Sequence, residues 1–222
     1  MRLQFPIFIC ILFVMAIACK PASTSDTTTT PSLSSVGTGK EFKIDVAHSE
    51  LKWQAFKAVG SHHGIVPILE GNVFVDANNI TGGKVILDMK NLQVTDLEGD
   101  DKQTLEDYLK GFKPGKEDDF FNTTKYPTAT FVIIGSTPIT GDADVNHIVH
   151  GELTMRDITK PVNFKVKLDI GAGNAVKITA VPFTIDRTEW GIKFKSKKFF
   201  DDLKDDFVYD EIKIDLTIGA IQ

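Results

Sequence analysis

Between Glu41 and the C-terminus, apolar side chains return at every second position, and that period restricts the chain to β-strands with one buried face. The cleanest run is Ile212, Ile214, Leu216 and Ile218, set against Lys213, Asp215 and Thr217. Val162, Phe164, Val166, Leu168 and Ile170 alternate in the same way with Lys165, Lys167 and Asp169. Leu51, Trp53 and Ala55 oppose Lys52, Gln54 and Phe56, while Val85, Leu87 and Met89 oppose Lys84, Ile86 and Asp88. Shorter runs are Val73 with Val75, then Ala129, Phe131 and Ile133, then Val149 with Leu153. Turn formers such as Ala77-Asn78-Asn79 and Gly171-Ala172-Gly173-Asn174 separate them. With Lys177 to Phe183, which also alternates like a strand, at least eight runs of this kind predict an all-β domain, either a closed antiparallel barrel or a sandwich. Eight strands in a barrel enclose just enough room for side chains or one elongated ligand. One helix is expected, capped at Asp100 or Asp101, striped by Leu105, Tyr108 and Leu109, and ended by Gly111.

Before this domain the composition changes twice. Residues 20–40 are rich in Ser, Thr, Pro and Gly and nearly free of large apolar side chains, as in a disordered tether. Residues 1–18 carry one charge, Arg2, and then an apolar run that is too short for a spanning helix, as in a secretory signal peptide. The run ends in Ala16-Ile17-Ala18-Cys19, which resembles the cleavage box of bacterial lipoproteins, with Ala16 where Leu is commoner. Cys19 is then the lipid attachment point of an exported protein, periplasmic or cell-surface, held at a bacterial membrane. An ordinary secretory signal with an incidental cysteine is the alternative. The only other cysteine, Cys10, lies in the segment to be removed, so the mature domain has no internal disulfide. The expected organisation is a signal peptide at 1–18, the lipidated cysteine and tether at 19–40, and one β-domain at 41–222.

The formal charge is −5, and without Arg2 it becomes −6, with no basic stripe; nucleic acid is therefore not expected as a partner. Gly171 to Val176 begins like a dinucleotide fingerprint but lacks the third glycine and leads into a strand, so it reads as a hairpin turn. Asp142-Ala143-Asp144 starts like a calcium loop, yet His147 stands where glycine is needed. His62 and His63 are adjacent, so on a strand they point to opposite faces and cannot share one metal. No metal site or cofactor is expected. Asp186-Arg187 reads as a structural salt bridge or turn or, alternatively, as an anion-binding guanidinium. Lys193, Lys195 and Lys197 fit a solvated strand face, and Asp201, Asp202, Asp205 and Asp206 an exposed loop. Sixteen phenylalanines against three tyrosines suit either a packed core or a dry, aromatic cavity for an apolar chain.

Several blocks, in order, make the chain similar to the YceI-like family. They are Ser61-His62-His63-Gly64, Gly82 to Met89, Asp119-Phe120-Phe121-Asn122, Lys125 to Phe131, Gly151 to Met155 with Ile158 to Val162, and Ile185-Asp186-Arg187 with Trp190-Gly191-Ile192. The resemblance spans about Phe42 to Ile218. It implies a lipocalin-like antiparallel β-barrel with an elongated pore and one or two short helices. It also implies binding of polyisoprenoid or similar long-chain lipids outside the cytoplasm. Such a role needs no catalytic group, no nucleophile elbow, metalloprotease helix or phosphate loop occurs in the sequence, and an enzyme is not expected. Leu87, Met89, Phe131, Leu153, Phe164 and Phe183 are the expected inward-facing wall, with Arg187 and Trp190 as further ligand contacts. The partners expected are an isoprenoid-type lipid (an isoprenoid quinone included) and the membrane through Cys19; a homodimer is left open. Two other readings stand beside this one. One is a lipid- or quinone-modifying enzyme using His62, His63 or Arg187; the other is a stress-protective lipoprotein whose barrel is packed solid.

Overall fold

Among the described residues of the computed structural model, 37–171 and 174–222, eleven strands and one α-helix occur, and all the strands belong to one antiparallel sheet. The expected signal segment, Cys19 and most of the expected tether lie outside the described residues. Eight strands form a ring: β1 (Lys40–Lys57), β3 (Ile68–Asp76), β4 (Asn79–Asp88), β6 (Thr128–Pro138), β7 (His147–Met155), β8 (Ile158–Gly171), β9 (Ala175–Ala180) and β11 (Val208–Ile221). Each pairs with the next, and β11 returns to β1, so the sheet closes into a barrel and has no open edge around the ring. Closure decides between the two all-β expectations in favour of the barrel.

The seam between β1 and β11 is irregular. Asp45 faces Gly219 but Glu50 faces Thr217, so β1 bulges between them. Ser49 holds the seam: its Oγ accepts from the Gly219 N–H at 3.0 Å and donates to the Asp45 carbonyl at 2.7 Å.

The two barrel ends differ. At one end the strands meet in short connections, such as β3–β4, where Ala77 and Asn78 both take positive φ (44° and 68°), the conformation of a type I′ hairpin. At the other end lie the long connections: β2 (Ser61–Ile65), β5 (Gln93–Val94), β10 (Phe183–Asp186), α1 (Gly99–Lys110) and the loop 191–207. β2 continues the sheet on the second half of β1, β5 adds to β2, and β10 adds to β11.

Local details depart from the sequence expectations in four places. Lys40 already belongs to β1, and the Thr38 carbonyl accepts from Thr81 Oγ1 at 2.6 Å, so the domain begins a few residues before Glu41. Glu98, not Asp100 or Asp101, precedes the helix and makes no side-chain cap; the two aspartates sit in the first turn, where the helix dipole favours them. Gly111 does end the helix, at φ 79°, its N–H reaching the Asp107 and Tyr108 carbonyls. Ile170 is 44% exposed because β8 reaches the barrel rim there. Lys193, Lys195 and Lys197 lie in turns, not on a strand, and all three cover rings: Lys193 Nζ is 4.6 Å from the Phe199 centroid, Lys195 Nζ 5.4 Å from that of Phe194 and Lys197 Nζ 3.6 Å from that of Phe207.

α1 is fastened to the barrel by a buried carboxylate. Glu106 Oε1 accepts from the Val94 N–H at 3.0 Å, and Oε2 pairs with Lys110 at 3.0 Å. Burial works against its ionisation, but these two bonds prevail and hold its pKa below the usual glutamate value.

Candidate functional site

The barrel is filled at one end and hollow at the other. Away from α1, the inward residues Phe42, Ile44, Val73, Val75, Val149, Val166, Leu168 and Ile178 are buried in the packed core. Towards α1 the strands enclose a cavity of about 140 Å³, partly open to solvent and apolar wherever its wall is accessible. An engineered apolar cavity of about this size stays dry and takes up benzene. The elongated pore implied by the resemblance is therefore confined to the α1 half, and the reading of a barrel packed solid does not describe this half.

The six expected wall residues all line the cavity: Leu87 on β4 and Met89 just after it, Phe131 on β6, Leu153 on β7, Phe164 on β8 and Phe183 on β10. The three phenylalanines form a row. Phe164 stacks on Phe183 with centroids 4.4 Å apart and planes at 4°, and Phe131 lies 5.6 Å from Phe164. Gly151 makes room for this row, since a Cβ there would come within 2.3 Å of the Phe131 ring.

Further lining residues were not singled out from the sequence as cavity wall. Leu51, Trp53 and Ala55 of β1 and Ile212, Ile214 and Leu216 of β11 do lie on the faces that alternation marks as buried. A period of two identifies the face but not which half of the barrel is hollow. Phe120, Phe121 and Ile192 close the α1 end from segments without any period, so only the Asp119-Phe120-Phe121-Asn122 block drew attention to the first two.

Arg187 and Trp190 are placed differently from the six. Arg187 begins a single 3-10 turn (Arg187–Trp190) and is 2% exposed. Its Nε donates to the Tyr209 carbonyl at 3.1 Å, Nη1 to Ile192 at 2.8 Å, and Nη2 to Phe194 at 2.8 Å, Val208 at 3.1 Å and Asp210 Oδ1 at 3.3 Å. The guanidinium thus ties the loop after Trp190 to the start of β11, which is the structural reading of the Asp186-Arg187 couple, although the partner is Asp210. Burial lowers its pKa, opposed by Asp210 and Asp186. Trp190, 1% exposed, donates from Nε1 to the Leu153 carbonyl at 3.1 Å and stands behind the cavity wall.

The histidines lie off the cavity wall. His62 opposes Ala55 across β1 and β2, and its Nδ1 is 2.8 Å from Asp96 Oδ2; His63 points the other way and is exposed. Asp96 also accepts from the His63 N–H at 3.0 Å; burial raises its pKa, but these bonds outweigh that and lower it. The calcium-like segment is an Asx turn in which Asp142 Oδ1 accepts from the Asp144 N–H at 2.9 Å.

A model of the YceI-like domain matches residues 42–220 of the chain. The chain belongs to the YceI-like family. A 56-residue segment is 50% identical to Protein YceI of Shigella flexneri, covering 25% of this chain and 27% of that relative's length. A UPF0312 protein of Pseudomonas putida is 28% identical over 161 residues, 69% of this chain and 77% of the relative. Among solved structures, BcnA of Burkholderia cenocepacia superposes with a TM-score of 0.60 at 20% identity, covering 80% of this chain and 99% of that one. A polyisoprenoid binding domain from Saccharophagus degradans superposes with a TM-score of 0.56 at 13% identity, covering 81% and 97%. At such identities the likeness is one of fold. In this YceI-like domain the family blocks divide their labour. Asp119-Phe120-Phe121-Asn122 covers the cavity, Lys125 to Phe131 and Gly151 to Met155 build its wall, Arg187 reaches that wall while tying the loop beyond it, and Trp190 stands behind it.

Proposed function

We propose that this protein is a carrier or holder of a long apolar lipid, an isoprenoid-type chain, taken up in the α1 half of the barrel. The observation that carries the proposal is the apolar cavity walled by Leu87, Met89, Phe131, Leu153, Phe164 and Phe183. Family membership supports it, and so does the polyisoprenoid binding domain of Saccharophagus degradans, which shares the fold. Each CH₂ moved from water into such a wall contributes about 0.8 kcal/mol. A cavity of about 140 Å³ takes a ring or a short stretch of chain, so the rest of a long lipid lies along the opening. The role needs no catalytic group. The protein acts outside the cytoplasm, in the periplasm or at the cell surface, tethered through an acylated Cys19.

Titration of the protein with geranylgeraniol, followed by intrinsic tryptophan fluorescence, tests the binding half of this proposal. The expected result is saturable one-to-one binding that survives moderate salt, because apolar burial is not screened. Absence of saturation would refute it.

A further inference from the structure

Buried polar groups are almost always hydrogen-bonded, and a donor left without an acceptor calls for an explanation. Trp53 provides one such donor. The residue is 8% exposed and lines the cavity, and its indole N–H is buried with no acceptor among the described residues. The other tryptophan, Trp190, has its N–H paired with a carbonyl.

The position of Trp53 is built, not incidental. On β1 it faces Ile214 of β11 on one side and Gly64 of β2 on the other. A Cβ at Gly64 would stand 2.8 Å from Trp53 Cζ2 and 1.8 Å from the Gln93 carbonyl, so glycine leaves the space that the indole uses. The remaining lining is apolar except for Arg187, each of whose three nitrogens already donates, to four carbonyls and Asp210 in all.

This arrangement discriminates between ligand chemistries. A phosphate inside the cavity would lack a free cation, and an unpaired buried charge is heavily penalised. A hydroxyl would bring a donor where the accessible wall presents no acceptor. A pure hydrocarbon would leave the Trp53 N–H unpaired. A neutral carbonyl-type oxygen completes the one missing hydrogen bond and introduces no new unpaired group.

We infer that Trp53 is a specificity-determining residue, and that the cavity selects neutral ligands whose buried part carries a carbonyl-type oxygen that accepts from its Nε1–H. The inference rests on the cavity being the ligand site. The N–H is covered in this structure, so an entering ligand has to uncover it.

The test uses two nearly isosteric probes, 2-acetylnaphthalene and 2-isopropenylnaphthalene, titrated calorimetrically into the full chain and its Trp53→Phe variant. Trp53→Phe should weaken ketone binding about tenfold, the worth of one hydrogen bond, and leave the alkene within about twofold. The carbonyl stretch of the bound ketone should lie at lower frequency in the wild type than in the variant. Equal effects on both probes, or an unshifted stretch in the wild type, would overturn the inference while leaving the cavity as a lipid site. Failure of both probes to bind the wild type would overturn both. Should Trp53→Phe fail to fold, the wild-type stretch alone decides.

Discussion

Replacing Arg187 with alanine should destabilise the protein by about 3–5 kcal/mol, the usual consequence of removing one partner from a buried ionic network. The guanidinium is 2% exposed, so solvent screening offers little relief. Its loss would leave the carbonyls of Ile192, Phe194, Val208 and Tyr209 without that donor, and Asp210 without its buried cation. A domain of this size is stable by roughly 5–15 kcal/mol in total, so the change consumes a large share. Urea unfolding of the two proteins measures it. Arg187→Lys should recover only part of the loss, because an ammonium cannot reproduce the planar fork that reaches three sides at once. A change below about 1 kcal/mol would mean that the loop 191–207 holds its place by other contacts.

The second large effect concerns binding. Leu153→Trp should fill the cavity from β7 and lower affinity for geranylgeraniol by about a hundredfold, with stability unchanged or raised by about 0.5–2 kcal/mol. Leu168→Ala, in the packed half, should do the opposite. Leu168 is 5% exposed and far along β8 from the cavity wall, so its truncation should lose about 2–5 kcal/mol of stability and leave lipid affinity intact. Titration and urea unfolding of the two variants therefore separate a hollow half from a filled one. Loss of binding in both would indicate that the two halves act as one pore.

The architecture was legible where burial is periodic. Ile212, Ile214, Leu216 and Ile218 alternate without interruption because β11 has one face in the barrel over most of its length. Alternation cannot register how far apart opposite walls stand. Leu216 lines the cavity and Ile218, two residues on, lies in the packed core, with no change in the pattern between them. The hairpin at Arg156 and Asp157, with φ of 51° and 59°, carries neither Gly nor Asn and so gave no turn signal. Phenylalanine abundance suited a packed core as well as an aromatic cavity, and the row Phe131, Phe164 and Phe183 forms part of the cavity wall. The brace role of Arg187 depends on carbonyls from 192 to 209, which only the folded loop brings together. The missing partner of Trp53 is likewise a fact of three dimensions.

The central claim, that a long apolar lipid occupies the α1 half of the barrel, is tested most directly by native mass spectrometry of the intact protein extracted gently from its own membrane. The expected spectrum shows a chain starting at an acylated Cys19 and carrying one further lipid, released by organic solvent and absent from Leu153→Trp. A spectrum of protein without any adduct, from preparations that also fail to take up added geranylgeraniol, would contradict the account.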